Sequence, residues 1–176
     1  TGTGNAYTIT LDNDDAATIA ELVTINAATT GAITLNALTI AANYEDTAAN
    51  LVLAFAGITT HTGTLTVSGA AATVAQANIL DAVTTGVITE VLATDTATNL
   101  ATLTGTNNAY TITINNDETA TIAQLKAINA ATTGAITLNT STIAANYSDT
   151  VANLTSAFAG ITTHTGTLTA TGTAPT

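Results

Sequence analysis

Apolar residues run along this chain in two alternating rhythms. The first is a short β-type run in which Ile or Leu stands before Thr. It occurs as Thr8-Ile9-Thr10, Ala32-Ile33-Thr34, Thr64-Leu65-Thr66, Val87-Ile88-Thr89, Thr111-Ile112-Thr113, Ala135-Ile136-Thr137 and Thr167-Leu168-Thr169, at steps of 24, 32, 23, 24, 24 and 32 residues. Neighbouring side chains on a strand point to opposite faces. Ile9, Ile33, Leu65, Ile88, Ile112, Ile136 and Leu168 are therefore predicted to point inward. Thr10, Thr34, Thr66, Thr89, Thr113, Thr137 and Thr169 are predicted to form an unbroken outward column. The second rhythm lies between the runs and is helical. Ile19, Leu22 and Ile25 share one helix face, and Ile122, Leu125 and Ile128 repeat them. The stretch from Thr73 to Thr84 offers Val74, Ala77, Leu80 and Val83 on a similar stripe. Asp15, Asp46, Asp95 and Asp149 each precede a helical stretch, as N-caps do. Gly31, Gly63, Gly86, Gly134 and Gly166 each precede a β-type run, a placement that predicts left-handed helix C-caps.

These rhythms belong to a longer repeat. Residues 1–73 align without a gap to residues 104–176 at an offset of 103, with 55 identities in 73 positions. Val23 of the first copy is Lys126 in the second, so that position is predicted to be exposed. Strand and helix alternating at 22–32 residues predict an α/β fold, a βα-repeat solenoid. Each rung would add one strand to a continuous parallel sheet, with Ala-rich helices packed behind it. Rungs this short cannot fold alone, so residues 1–176 are expected to form a single solenoid. Its long repeat runs over 1–103 and, in part, 104–176.

Composition narrows what the fold can do. Thr and Ala supply 82 of the 176 residues, Lys126 is the only Lys or Arg, and charged residues make up 7%. One cation cannot neutralise a run of phosphates, so nucleic acid is excluded as a partner. Anionic membrane surfaces are excluded for the same reason. No apolar run approaches the roughly 20 residues that a membrane span needs. Thr1-Gly2-Thr3-Gly4 does not resemble a signal peptide, so the chain is expected to be mature, a fragment, or exported without an N-terminal trace. Without Cys there is no disulfide framework and no thiolate metal site. Stacking of neighbouring rungs must then supply the stability.

Candidate chemistry is sparse. Asp12, Asp14 and Asp117 have the alternating oxygen pattern of a weak calcium site, but Asp12 becomes Asn115 in the second copy. Capping and interaction with the helix dipole account better for the acids, so no metal or other cofactor is expected. His61 and His164 are repeat equivalents with no second His or Cys near them in sequence, which fits a histidine hydrogen-bonded in a turn. Tyr7/Tyr110 and Tyr44/Tyr147 are expected to anchor rung edges, and Phe55 and Phe158 to fill the core. Three Asn-x-Ser/Thr triplets, at Asn139, Asn146 and Asn153, lack counterparts in the first copy and read as coincidences. No catalytic constellation emerges, and the chain is not expected to be an enzyme.

Runs such as Asp46-Thr47-Ala48-Ala49-Asn50-Leu51, Ala72-Thr73-Val74-Ala75-Gln76-Ala77 and Ile25-Asn26-Ala27-Ala28-Thr29-Thr30-Gly31-Ala32-Ile33-Thr34 carry a resemblance. They resemble the Thr/Ala-rich repeats of long bacterial exported proteins, cyanobacterial ones especially, that are adhesin-like or form cell-surface structures. The resemblance implies an extracellular or cell-surface location and no catalytic residues. The calcium-binding nonapeptides that often accompany such repeats do not occur here. The first and last segments read as ordinary copies of interior repeats without polar caps. Such ends are expected to stack head to tail, making the chain a homopolymer in a filament or surface layer. The alternative is a ligand-binding solenoid whose Thr face, resembling the Thr-x-Thr arrays of solenoid ice-binding proteins, meets ice or a polysaccharide.

Overall fold

Each long helix begins on a threonine whose hydroxyl accepts the amide three residues on, satisfying one of the donors a helix start leaves free. The computed structural model describes residues 4–172. It divides into two compact units, Thr1–Glu90 and Val91–Thr176. In the first unit Thr18 caps α1 (Ile19–Ala28), Thr47 caps α3 (Ala48–Ala54) and Thr73 caps α4 (Val74–Val83). Asn36 caps the short α2 (Ala37–Ala41). Thr18 with Glu21, and Thr73 with Gln76, close reciprocal capping boxes. Helix α4 buries Val74, Ala77, Leu80 and Val83, the stripe expected of it.

The strands of this unit are β1 (Ile9–Thr10), β2 (Ile33–Thr34), β3 (Tyr44–Asp46), β4 (Leu65–Val67) and β5 (Ile88–Val91), whose last residue belongs to the second unit. All pair in parallel: Ile9 with Ile33, Tyr44 with Leu65, and Leu65 with Ile88. Strand β3 was not anticipated. The 32-residue step from Ile33 to Leu65 hides it, because it holds two short segments, α2 with β3 and then α3 with β4. The expected continuous sheet is also corrected. Strands β1 and β2 form one hydrogen-bonded pair, and β3 begins another group. Where the ladder stops, side chains take over: the Asn36 amide donates to the Asp12 and Asp15 carbonyls, and the Ala17 amide donates to the buried Thr39 hydroxyl.

The second unit repeats the plan. It holds α5 (Ala97–Leu100), β6 (Ala109–Thr113), α6 (Ile122–Ala131), β7 (Ile136–Thr137), α7 (Thr140–Ala144), β8 (Tyr147–Asp149), α8 (Val151–Phe158) and β9 (Leu168–Ala170). Ile112 pairs with Ile136 and Tyr147 with Leu168, again in parallel. The fold is thus α/β, with parallel strands joined through helices. Leu22, Leu51, Phe55 and Leu80 are fully buried in the first unit, and Leu100, Ile114, Leu125 and Ile128 in the second. Ala54, Ala77 and Ala157 are equally buried, which lets helices approach the strands closely.

The glycines before the strands do a different job from the one expected. Gly31, Gly63, Gly86, Gly134 and Gly166 are absent from the left-handed residues, which include Gly57 and Gly160. A Cβ on Gly86 would lie 2.1 Å from the Gly63 carbonyl oxygen, so the site demands glycine for close backbone approach. The helix ends there on Thr84, in an extended conformation. Its hydroxyl accepts the Gly86 amide at 2.9 Å and donates to the Gly63 carbonyl at 2.8 Å. Thr29 with Gly31 and Tyr7, and Thr132 with Gly134 and Tyr110, build the same clamp. Threonine therefore serves inside as a backbone surrogate as well as on the strand faces.

Candidate interaction surfaces

The outward threonines form pairs rather than an unbroken column. Thr10 lies beside Thr34, Thr66 beside Thr89, and Thr113 beside Thr137. The unanticipated strands interrupt the series, because Glu45 of β3 pairs with Thr66 and Ser148 of β8 with Thr169. Thr10, Thr34, Thr89, Thr137 and Thr169 are exposed, while Thr66 and Thr113 are half-buried.

The aspartates expected as N-caps sit outside the caps. The caps are Thr18, Thr47, Thr96 and Thr150. Asp46, Asp95 and Asp149 each stand one residue earlier and accept the amide of the capping threonine at 2.7–2.8 Å. Each also holds the Asn three residues into the helix. The hydroxyl wins the cap because it reaches its own N3 amide, while the carboxylate one position out spans the cap itself. Asp15 lies three residues before Thr18 and turns its backbone carbonyl to Asn36. Asn153 and the Thr150 amide hold the Asp149 carboxyl below the usual range.

Among the described residues no three His, Cys, Asp or Glu side chains converge as metal ligands. Of the calcium candidates, Asp12 and Asp14 are exposed, and Asp117 accepts from the Asn115 amide at 2.7 Å. Lys126 is half-buried rather than exposed, and its ammonium donates to Asn153 Oδ1 at 2.6 Å.

Each histidine completes an aromatic trio. His61 packs on Phe55 and Tyr44 with ring centroids 4.8 and 5.6 Å away, and His164 packs likewise on Phe158 and Tyr147. His61 Nε2 lies 2.9 Å from the Ala42 carbonyl, so it donates there and fixes the tautomer, leaving Nδ1 beside the Thr84 hydroxyl. Burial holds its pKa below the ordinary histidine value. Tyr44 and Tyr147 donate to the Ala17 and Ala120 carbonyls, tying successive steps together.

One polar group escaped the sequence reading. Glu90 is 3% exposed, and neither of its carboxylate oxygens has a hydrogen-bond partner. Desolvation pushes its pKa up to about 7. The signal was present: Ile88 points in and Thr89 out, so Glu90 must point in, where Leu11, Leu35 and Val67 occupy the equivalent place.

Repeat copies differ most sharply at two strands. Leu65 is fully buried with β5 alongside, whereas its counterpart Leu168 on β9 is 42% exposed. Tyr110 and Ile112 of β6 are fully buried, whereas Tyr7 is 58% exposed and Ile9 of β1 half-buried. No known protein family, curated protein or solved structure matches the chain. No helix among the described residues is long and apolar enough to cross a membrane.

Proposed function

We propose that this chain is an extracellular structural repeat protein, a βα solenoid that assembles with copies of itself through open rung faces into a filament or surface layer. One observation carries the reading: side chains buried within one copy of the repeat, Leu65 and Tyr110, are uncovered in the other copy at Leu168 and Tyr7. A strand edge with apolar residues beside it is a template for another strand. Covering the exposed part of Leu168 contributes about 1 kcal/mol. Assembly of unlike faces propagates without closing, which is the geometry of a filament. An extracellular setting suits a chain whose single Lys leaves trypsin-like proteases almost no cleavage site, and whose lack of Cys and Met removes the oxidation-sensitive side chains.

Electron microscopy and sedimentation of the purified chain test the proposal. Concentration-dependent fibres are expected, and Leu168→Asp should suppress them. Monodisperse particles at every concentration would overturn it. The paired Thr10/Thr34, Thr66/Thr89 and Thr113/Thr137 favour a second reading, a Thr face that meets ice or a polysaccharide. Thermal hysteresis that Thr34→Tyr with Thr137→Tyr abolishes would support it, and its absence in the unaltered chain would remove the ice form.

A further inference from the structure

Beside α1 the first unit has a hollow of about 420 Å³, with Leu11, Ala17, Ala20 and Ile25 on its walls and Asp15 and Glu21 at its edge. Shifted by the repeat, three of the apolar positions are Ile114, Ala120 and Ile128, and all three are buried. In that second copy, residues 91–103 lie alongside. The Leu92 amide donates to the Thr111 carbonyl at 3.0 Å, and the Asn115 amide donates to the Asp95 carbonyl at 2.8 Å. Helix α5, which buries Ala97 and Leu100, packs on α6. Three hydrogen bonds fix its place: Glu118 accepts from the Thr98 amide at 2.8 Å and from its hydroxyl, and the Gln124 side-chain amide donates to the same hydroxyl at 2.9 Å.

We propose that the hollow beside α1 is a docking seat for a polypeptide segment of the Val91–Leu103 kind. Such a segment has an apolar residue on an extended stretch, an Asp-Thr cap, and one helical turn with Ala and Leu three apart. The first copy offers corresponding groups at these points, save that Glu21 can only accept where Gln124 donates. Thr8 stands for Thr111, Asp12 for Asn115, Asp15 for Glu118 and Glu21 for Gln124. Leu11, Ala17 and Ile25 supply the apolar floor. With Asp12, Asp15 and Glu21 around it, the seat requires an occupant that brings donors, as the Thr98 amide and hydroxyl do, and no acid at that point. The proposal deepens the reading of open rung faces as assembly surfaces by naming what one of them accepts.

The test places a second copy of Val91–Leu103 directly before Thr1 of the full chain. This reproduces the native Leu103-Thr104-Gly105-Thr106 junction, since residues 1–3 repeat residues 104–106. Tethering supplies the effective concentration that a short free peptide would lack. Hydrogen exchange at the Asp12 amide and through Ile19–Ala28 is expected to slow at least tenfold. An extension carrying Leu92→Asp and Leu100→Asp is expected to leave exchange at the untethered rate. Unchanged exchange with the natural segment, or equal slowing with the altered one, would overturn the seat. Exchange is read on monomer at low concentration. Failure of the chain to form fibres therefore overturns self-assembly while leaving this outcome to be judged by itself.

Discussion

A methyl group on Gly86 would sit 2.1 Å from the Gly63 carbonyl oxygen and 2.5 Å from its carbon, both backbone atoms that cannot swing aside. Gly57, at φ +73°, has nothing within 4 Å of the same methyl position. The two glycines therefore fail for different reasons when replaced. Gly86→Ala is expected to cost about 3 kcal/mol by forcing neighbouring strands apart, and Gly57→Ala about 1 kcal/mol through left-handed strain alone. Urea denaturation of the two variants would test that order. Glu90 sets a pH dependence. Its pKa in the folded chain, about 7, lies above the value of 4.5 for an unhindered glutamate. The folded state thus holds the proton more tightly, and this contribution to stability fades as pH rises from about 4.5 through about 7. The advantage of Glu90→Leu over the natural chain should grow by about 3 kcal/mol between pH 4.5 and 8. An advantage that stays flat across that range would mean the carboxylate is not desolvated. His61 acts in the opposite sense: burial favours its neutral form, so its share of stability is intact above pH 6.5 and is lost as pH falls below that.

At the scale of elements, the Thr-x-Gly clamp decides where α1, α4 and α6 end and the next strand begins. Thr132→Val keeps the shape but leaves the Gly134 amide and the Tyr110 carbonyl without the hydroxyl they share, at a cost of about 2 kcal/mol. Thr132→Ser should retain most of the stability, and thermal melting of the pair would separate hydroxyl from bulk. Helices α1, α4 and α6 were legible because three or four apolar residues fall on one face, and strands β1, β2, β4, β5, β6, β7 and β9 because each carries Ile or Leu before Thr. Strands β3 and β8 were not, since Tyr44-Glu45-Asp46 and Tyr147-Ser148-Asp149 carry no such run. Their places are held by tyrosine hydroxyls donating to Ala17 and Ala120 and by histidines on Ala42 and Ala145, partners about 20 to 30 residues away. Three of the caps were misplaced by one position because Asp and Thr stand side by side at 46–47, 95–96 and 149–150 and both are good cap formers, while Asp15 stands three residues before Thr18. Only the geometry shows which of them reaches the amide of the third helical residue.

For the molecule as a whole, twelve acids against one Lys give a net charge of −11, so approaching copies repel one another. Raising ionic strength from about 10 mM to 150 mM shortens the screening length from roughly 30 to 8 Å. Assembly should therefore strengthen with sodium chloride, seen as a faster-sedimenting boundary; weakening with salt would point to attraction between charges in place of apolar contact. The surfaces proposed for assembly were partly visible beforehand, since an interior repeat offers an interior face wherever it is uncovered. Which face accepts which segment required the copies to be compared in three dimensions, where Ile25 and Ile128 open the same run Ile-Asn-Ala-Ala-Thr-Thr-Gly and have different cover. The Thr-x-Gly clamp has a consequence for heredity. Because each copy carries its own hydroxyls and its own glycines, a duplicated stretch of gene delivers the bonds to its predecessor together with the fold. A lineage can lengthen or shorten such a chain by unequal recombination, and no compensating change need arise elsewhere for the new piece to fit.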